Sequence, residues 1–366
     1  MTIVRAAVFE PNSQHPSLQE LALRELRDDE VLVKLTATGI CHTDLGFRCR
    51  VPHALVLGHE GAGKVERVGR AVRDVTPGDH VVLSFRSCHE CPSCLAGKPS
   101  YCHKFAPLNF TGLRADGSSA LAAGERPVGG HFFGQSSFAT HSVAHESNVV
   151  KVRADAPLEL LGPLGCGVQT GAGAVMNVLR PRAGESMLIV GAGGVGMSGL
   201  MAAVVEGCAP IVVLEPNPER RALARELGAH HVIDPLNEDV AAVVRSVAPS
   251  GILHALDTSG LPKVIAQVLG LLALRGSLAL VTATPREAVL EVPMLSAIGR
   301  GIAIRGVIEG DAQPREFIPK LVELVMSGRF PLHRRVRFYD LEQIGHALED
   351  QESGKVIKPI VRMPGS

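Results

Sequence analysis

The chain contains no tryptophan and two tyrosines; eleven phenylalanines supply most of its 4% aromatic content. It also lacks charge of either sign in excess, with 37 Lys+Arg against 37 Asp+Glu. A nucleic-acid surface needs a basic field with aromatics interleaved to stack bases, so that class of partner is excluded. No stretch approaches the roughly 18 continuous apolar residues of a membrane span, so no membrane partner is expected. The opening run from Met1 to Phe9 is too short in apolar length, and polar too early, for a secretory leader. It reads as a first strand of a cytoplasmic protein.

What is present is an ordinary globular composition, 46% hydrophobic and 20% charged, with 39 glycines and 24 prolines for turns. At 366 residues the chain can bury two separate cores. Its eight cysteines, in a reducing compartment, do not read as four disulfides. Spacing separates them: Cys88, Cys91, Cys94 and Cys102 cluster, Cys41 and Cys166 stand apart, and Cys49 and Cys208 are incidental.

Residues 1–160 show short β-like runs between Gly, Pro and Asp turns, such as Glu30–Ala37, Gly61–Val68 and Asp79–Leu83. This predicts a β-rich, barrel-like domain, with residues 107–130 as one long loop near a site. Across 161–304 strands alternate with helices: Met187–Val190, a helix to about Glu206, Ile211–Leu214, Pro218–Leu227, His231–Ile233, Val240–Val247, His254–Leu256, Pro262–Leu274 and Ser277–Thr282. That alternation predicts an α/β, doubly wound parallel sheet of the Rossmann kind. Residues 305–366, with a helix over Pro314–Ser327 and mixed segments ending in Val356–Val361, are expected to return to the first domain.

Three constellations carry chemistry. Four cysteines within residues 88–102, on a loop punctuated by proline and glycine, suit a tetrahedral zinc with four sulfur ligands. Such a site has no open position and holds a lobe in shape. Cys41, His59 and Cys166 would instead leave a fourth zinc position open for water or substrate. Spacing alone leaves that reading open beside a structural histidine and a small buried cysteine. Third, Gly191, Gly193, Gly194, Val195 and Gly196 lie between a predicted strand and helix, and Glu215 closes the next strand. This is the context of dinucleotide binding, with pyrophosphate at a helix N-terminus and a carboxylate on the adenosine ribose. Glu215 would repel a 2′-phosphate, so NAD is expected over NADP. Arg220 and Arg221 nearby temper this expectation, since arginine can accept that phosphate; the alternative is that one of them packs against or hydrogen-bonds the adenosine end.

The blocks Gly39–Asp44, Gly58–Gly63, the four-cysteine lobe, Asp74–Val81 and Val190–Gly196 resemble zinc-dependent medium-chain alcohol dehydrogenases along essentially the whole chain. More narrowly, residues 159–174, Asn109-Phe110 and residues 131–140 are similar to bacterial benzyl (aryl) alcohol dehydrogenases. The resemblance implies a GroES-like catalytic domain beside the Rossmann domain and two zinc ions per chain. It implies Cys41, His59 and Cys166 as catalytic zinc ligands, Asp44 as the carboxylate orienting His59, and Glu60 just behind the metal. Asp44 could instead cap the following helix, and one carboxylate is not expected to do both. His42 and Lys358 fall at positions that meet the cofactor pyrophosphate. Thr43 would bridge the substrate proton towards the nicotinamide ribose. In many relatives a histidine five residues after the first cysteine completes that relay; here the position is Gly46.

The implied reaction is reversible oxidation of primary aromatic or allylic alcohols to aldehydes, with hydride passing to NAD. Asn109, Phe110, Phe132 and Phe133 would line the substrate pocket, though each phenylalanine could equally be core. Alternatives are a geraniol-type terpenoid alcohol dehydrogenase and a zinc-containing C=C or C=N reductase of the same family. A homodimer or homotetramer is expected.

Overall fold

A computed structural model describes residues 2–365. The chain divides into two units: one runs up to Cys166 and resumes at Gln313, and the other is Gly167–Ala312.

The first unit is built on the strand Glu30–Gly39. Most of its side chains are buried, because it is flanked on both sides. Gly61–Val68 and Lys358–Arg362 pair with it antiparallel, and His141–His145 adds to its first half. His80–Leu83 and Val149–Lys151 extend the sheet at one end and Val336–Asp340 at the other. A second sheet joins Leu55–Val56, Ile3–Phe9, Ser17–Leu23, Leu121–Ala123 and Arg126–Val128. Phe9, Phe132 and Phe138, all fully buried, belong to a large apolar core of this unit. The C-terminal strand places Ile360 opposite Gly39, and that register brings Lys358 beside Ile40.

Residues 107–130 depart from the expected loop. They contain a small hairpin, Leu121–Ala123 with Arg126–Val128, which caps the edge of the second sheet. The signal was weak because each strand is three residues long and pairs with a distant partner, Ser17–Leu23.

The second unit holds a six-stranded sheet in which every pair is parallel. Its order is His231–Ile233, Ile211–Leu214, Met187–Val190, Ile252–Asp257, Leu272–Leu280, Ala303–Gly306. Strand order reverses between Met187–Val190 and Ile252–Asp257, the switch point at whose carboxyl ends open α/β sheets bind ligands. Continuous apolar runs make both faces of Met187–Val190 and Ile211–Leu214 buried, as helices on each side require. The helix expected over Pro262–Leu274 stops at Leu271, and the following strand starts at Leu272, five residues before the expected Ser277. The intervening Leu-Ala-Leu is apolar at either periodicity, so pairing with Ile252 decides its state.

Candidate metal centre and cofactor turn

Cys41, His59 and Cys166 converge although 125 residues separate the outer two: one ligand atom from each lies within 4.8 Å of the others. Cys41 is the N-cap of the helix His42–Arg48, where the chain leaves the central strand. His59 lies between Leu55–Val56 and Gly61–Val68, and Cys166 follows the tight turn Gly162–Gly165. The Nδ1 of His59 donates to Asp44 Oδ1 at 2.8 Å, since a carboxylate can only accept. Its Nε2 is buried and has no hydrogen-bond partner. An orphaned imidazole nitrogen facing two thiols is a poor arrangement for a closed core and a good one for a soft cation. Cys166, ahead of His59 and against the effect of burial, pulls the Cys41 thiol well below its ordinary range. This donor set fits zinc with one position left over.

Cys41, not Asp44, is the N-cap of the helix; Asp44 is its third residue and bonds both the helix start and His59. Its Oδ2 accepts the Cys41 backbone N–H at 2.9 Å, closing the first turn of the helix, while Oδ1 takes His59 and the Gly58 N–H at 3.2 Å. Two oxygens suffice because the helix start and the His59 loop abut. Thr43 sits half-buried with its Oγ1 3.9 Å from Cys41 Sγ. His42 is exposed, its Nδ1 3.2 Å from Gln351 Nε2.

Glu60 is fully buried behind His59, and burial raises its carboxyl pKa against the pull of Lys358. Lys358, expected at the pyrophosphate, is buried here. Its Nζ donates to Ile40 O at 2.8 Å and to the two Glu60 oxygens at 2.9 and 2.8 Å.

Phenylalanines wall the site. Phe133 stacks on the His59 ring at 4.4 Å and 23°, and Phe132 meets it edge-on at 5.8 Å. Phe110 packs on Phe133 at 5.4 Å, and Phe47 joins Phe110 and Phe132 at 5.2 and 5.0 Å. Phe133 is held at φ +51, a left-handed conformation that costs a β-carbon-bearing residue about 1–3 kcal/mol. Phe132 is wholly buried and supports the wall from behind. Asn109, expected in the pocket lining, precedes Phe110 at the end of the helix Phe105–Asn109. It is fully buried, accepting the Arg86 N–H at 2.9 Å and donating to Arg86 O and Phe105 O at 2.9 and 2.8 Å. Its role is to tie two backbone segments together.

Two residues were missed from sequence. Phe47 lies four positions after Thr43 and therefore on the same helical face, which is a readable signal. Gln135, fully buried, donates to His59 O at 3.0 Å and accepts the Gly61 N–H at 3.1 Å, so it brackets the histidine. No local pattern marks it.

The second cluster, Cys88, Cys91, Cys94 and Cys102, also gathers four sulfurs within 4.8 Å of one another. Backbone N–H groups of Cys88, Cys91, His103 and Lys104 point at these sulfurs at 3.3–3.4 Å, an arrangement that favours thiolates.

In the other unit, Gly191–Gly193 turns from the strand Met187–Val190 into the helix Gly194–Val205, with Val195 and Gly196 in its first turn. A β-carbon on Gly196 would sit 1.8 Å from Gly191 O, so only glycine lets the helix start this close to the strand. Glu215 Oε2 accepts the Ala192 N–H at 2.7 Å and Oε1 the Asn217 N–H at 2.9 Å. Arg221 is bound to Glu215 O at 2.8 Å and to Asp234 at 3.1 Å. Arg220 is half-buried on the helix Pro218–Glu226, its N–H capped by Asn217 at 3.1 Å.

The family model for the alcohol dehydrogenase GroES-like domain matches residues 27–154, and that for zinc-binding dehydrogenase matches 194–327. Geraniol dehydrogenase of Castellaniella defragrans is 45% identical over 98% of this chain and 97% of its own. The chain belongs to the zinc-dependent medium-chain alcohol dehydrogenases. Among solved structures, benzyl alcohol dehydrogenase from Acinetobacter calcoaceticus shares 41% identity with a TM-score of 0.95, covering 99% of this dehydrogenase and 100% of that chain. An alcohol dehydrogenase zinc-binding domain protein from Burkholderia ambifaria shares 47% identity at TM-score 0.97, over 99% of both chains.

Proposed function

We propose that this dehydrogenase oxidises primary aromatic or allylic alcohols to aldehydes, reversibly, with NAD as hydride acceptor. The observation that carries the reading is the His59 imidazole, its Nε2 bare toward Cys41 and Cys166 and its face covered by Phe133. Cys41, His59 and Cys166 would hold a zinc ion, which supplies Lewis-acid polarisation of the alcohol oxygen when bound. Asp44 keeps His59 in the tautomer that leaves Nε2 unprotonated. Thr43 Oγ1 accepts the substrate hydroxyl proton and passes it on. Gly46, exposed on the same helix, offers no imidazole to receive it, so the relay ends in water or at another base. Phe110 and Phe133 exclude solvent and favour a flat apolar group. The relatives named for geraniol and for benzyl alcohol both act, by name, on substrates of that shape.

A second zinc held by Cys88, Cys91, Cys94 and Cys102 makes two per chain. Preference for NAD rests on Glu215, whose carboxylate lies at the glycine turn, and on Arg221, whose guanidinium is already engaged. The cofactor pyrophosphate would lie at the N-terminus of Gly194–Val205, with Arg220 at the adenosine end. None of the eight cysteines is paired in a disulfide, which suits a cytoplasmic setting. Self-association as a homodimer or homotetramer is supported by Val289, Met294, Leu295 and Ile298, each at least 70% exposed, near the sheet's terminal strand Ala303–Gly306.

The test is initial-rate assay with benzyl alcohol, geraniol and ethanol, each with NAD and NADP, together with metal analysis. The reading requires two zinc per chain and higher kcat/KM for the first two alcohols with NAD. Ethanol as the best substrate, or one zinc per chain, would overturn it.

A further inference from the structure

Two neighbouring strands of the parallel sheet are each followed at the carboxyl end by an acidic residue. Leu214 lies opposite Ile233 in the pairing of Ile211–Leu214 with His231–Ile233, and the Glu215 N–H donates to Ile233 O at 3.1 Å. Glu215 and Asp234 therefore leave the sheet side by side. Arg221 meets both of them from the first turn of the helix Pro218–Glu226, its guanidinium folded back onto the strand ends. Nη1 donates to Glu215 O at 2.8 Å and to Pro216 O at 2.7 Å, and Nη2 lies 3.1 Å from Asp234 Oδ2.

Asp234 is not a loose surface group. Its Oδ1 accepts the Leu236 N–H at 3.1 Å, its Oδ2 accepts Asn237 Nδ2 at 3.1 Å, and its own N–H donates to Glu238 Oε1 at 2.7 Å. Asn237, then the Leu236 N–H and Arg221, hold the carboxyl below its ordinary range, so it is charged at neutral pH. The two side chains are 20% and 13% exposed, which keeps the ion pair largely out of bulk solvent. Arginine reads phosphate through its planar fork of N–H groups, and dinucleotide sites that take a 2′-phosphate place one near the adenosine ribose. Arg221 has that chemistry and stands on the backbone of Glu215 itself. Its fork is occupied by two carbonyls and a carboxylate.

We propose that Asp234 is a positioning residue that sets cofactor choice: its carboxylate latches Arg221 onto the strand ends and withholds that guanidinium from a 2′-phosphate. The proposal rests on the NAD reading above and adds a second determinant to the repulsion supplied by Glu215. The two differ in kind. Glu215 opposes the phosphate by its own charge, whereas Asp234 acts through Arg221, by denying the wrong cofactor a contact. The two carbonyls alone are neutral acceptors, so an Arg221 released from Asp234 has a stronger partner in a phosphate than in the backbone.

The test titrates the full-length zinc enzyme with NADH and with NADPH, following cofactor fluorescence so that binding is read without turnover. Wild type is compared with Asp234→Asn, Arg221→Ala and the double variant, all with Glu215 in place. Asp234→Ser, which keeps an acceptor for the Leu236 N–H, serves as a second release variant should the asparagine protein fold poorly. The quantity read is the ratio of the Kd for NADPH to the Kd for NADH, which general damage to the site leaves unmoved. Releasing Arg221 should lower that ratio about tenfold, through tighter NADPH binding, as one new charged hydrogen bond supplies. In the Arg221→Ala background the same change at Asp234 should move the ratio less than about twofold, the spread expected of uncoupled sites. A tenfold fall that persists without Arg221 would overturn the latch, since the carboxylate would then act by its own charge. An unchanged ratio in both release variants, with or without equal weakening of the two cofactors, would also overturn it and leave the pair purely structural. If the wild-type enzyme binds NADPH as tightly as NADH, the NAD reading fails, and the proposal falls with it for a separately visible reason.

Discussion

Asp44 and His59 are joined by a 2.8 Å Oδ1–Nδ1 hydrogen bond while the same carboxylate's second oxygen starts the helix that carries Cys41. One buried side chain therefore sets the orientation of two metal-facing donors. Asp44→Asn keeps the size of the group but replaces one acceptor oxygen by a donor. Zinc content and chelator resistance should fall about 10- to 100-fold in affinity terms, checked by metal analysis after dialysis. Full retention would remove Asp44 from the ligand-orienting role.

Thr43 supplies the only side-chain hydroxyl on the helix that begins at Cys41. Thr43→Val preserves its shape and should lower kcat by about 10²–10⁴, the usual range for a lost proton-transfer group. Thr43→Ser should recover most of the loss. Near-normal turnover in the valine variant would place the first proton acceptor elsewhere.

Phe110 sits at the half-buried rim of the aromatic wall, in contact with both Phe47 and Phe133. Aromatic pairs contribute about 0.5–1.5 kcal/mol beyond their area, so Phe110→Ala should reduce kcat/KM for benzyl alcohol roughly threefold to tenfold. Ethanol should be affected less. Equal losses for both alcohols would mean that the ring supports the fold rather than the choice of substrate.

Arg114 and Glu30 form a buried bidentate pair, Nε–Oε1 2.7 Å and Nη2–Oε2 2.6 Å, at the start of the central strand. Arg114→Met leaves the carboxylate buried and unpaired, a loss of about 3–5 kcal/mol. The double variant with Glu30→Gln should regain much of it. Urea unfolding of both would decide the matter, and matching stabilities would show the pair to be idle.

His131 is buried, and that burial, helped by Arg114, depresses its pKa from 6.5 to about 3. In the folded protein it is neutral, whereas in the unfolded chain it takes up a proton near pH 6.5. Its contribution is thus fully present above pH 6.5 and is lost as pH falls from there towards 3, at up to about 1.4 kcal/mol per pH unit. The variant His131→Phe should show a shallower decline in melting temperature between pH 6.5 and 4. An unchanged slope would assign the acid limb to other groups.

Much of this site can be read directly from the chain. The four sulfurs of residues 88–102 lie on one short loop, so spacing alone brings them near one another. The strands Met187–Val190 and Ile211–Leu214 and the helix Val240–Val247 have the limits their apolar patterns indicate, because Gly191 ends the first, Pro210 precedes the second and Asp239 caps the third. Asn109 and Lys358 went differently. Both are polar residues beside a site, and local pattern cannot tell whether such a group faces a ligand or a backbone carbonyl.

Sequence by itself determined the two element textures, the strand–glycine–helix turn and the residue types able to hold a metal, since these depend on propensity, periodicity and short spacing. Tertiary structure alone decided that Asp44 serves Cys41 and His59 together, that Gln135 brackets the histidine, and that Lys358 bonds Glu60 across a separation of 298 residues. The physical reason is register. Strand pairing sets which distant polar atoms come within hydrogen-bond reach, and a buried donor takes whichever acceptor that pairing brings to it.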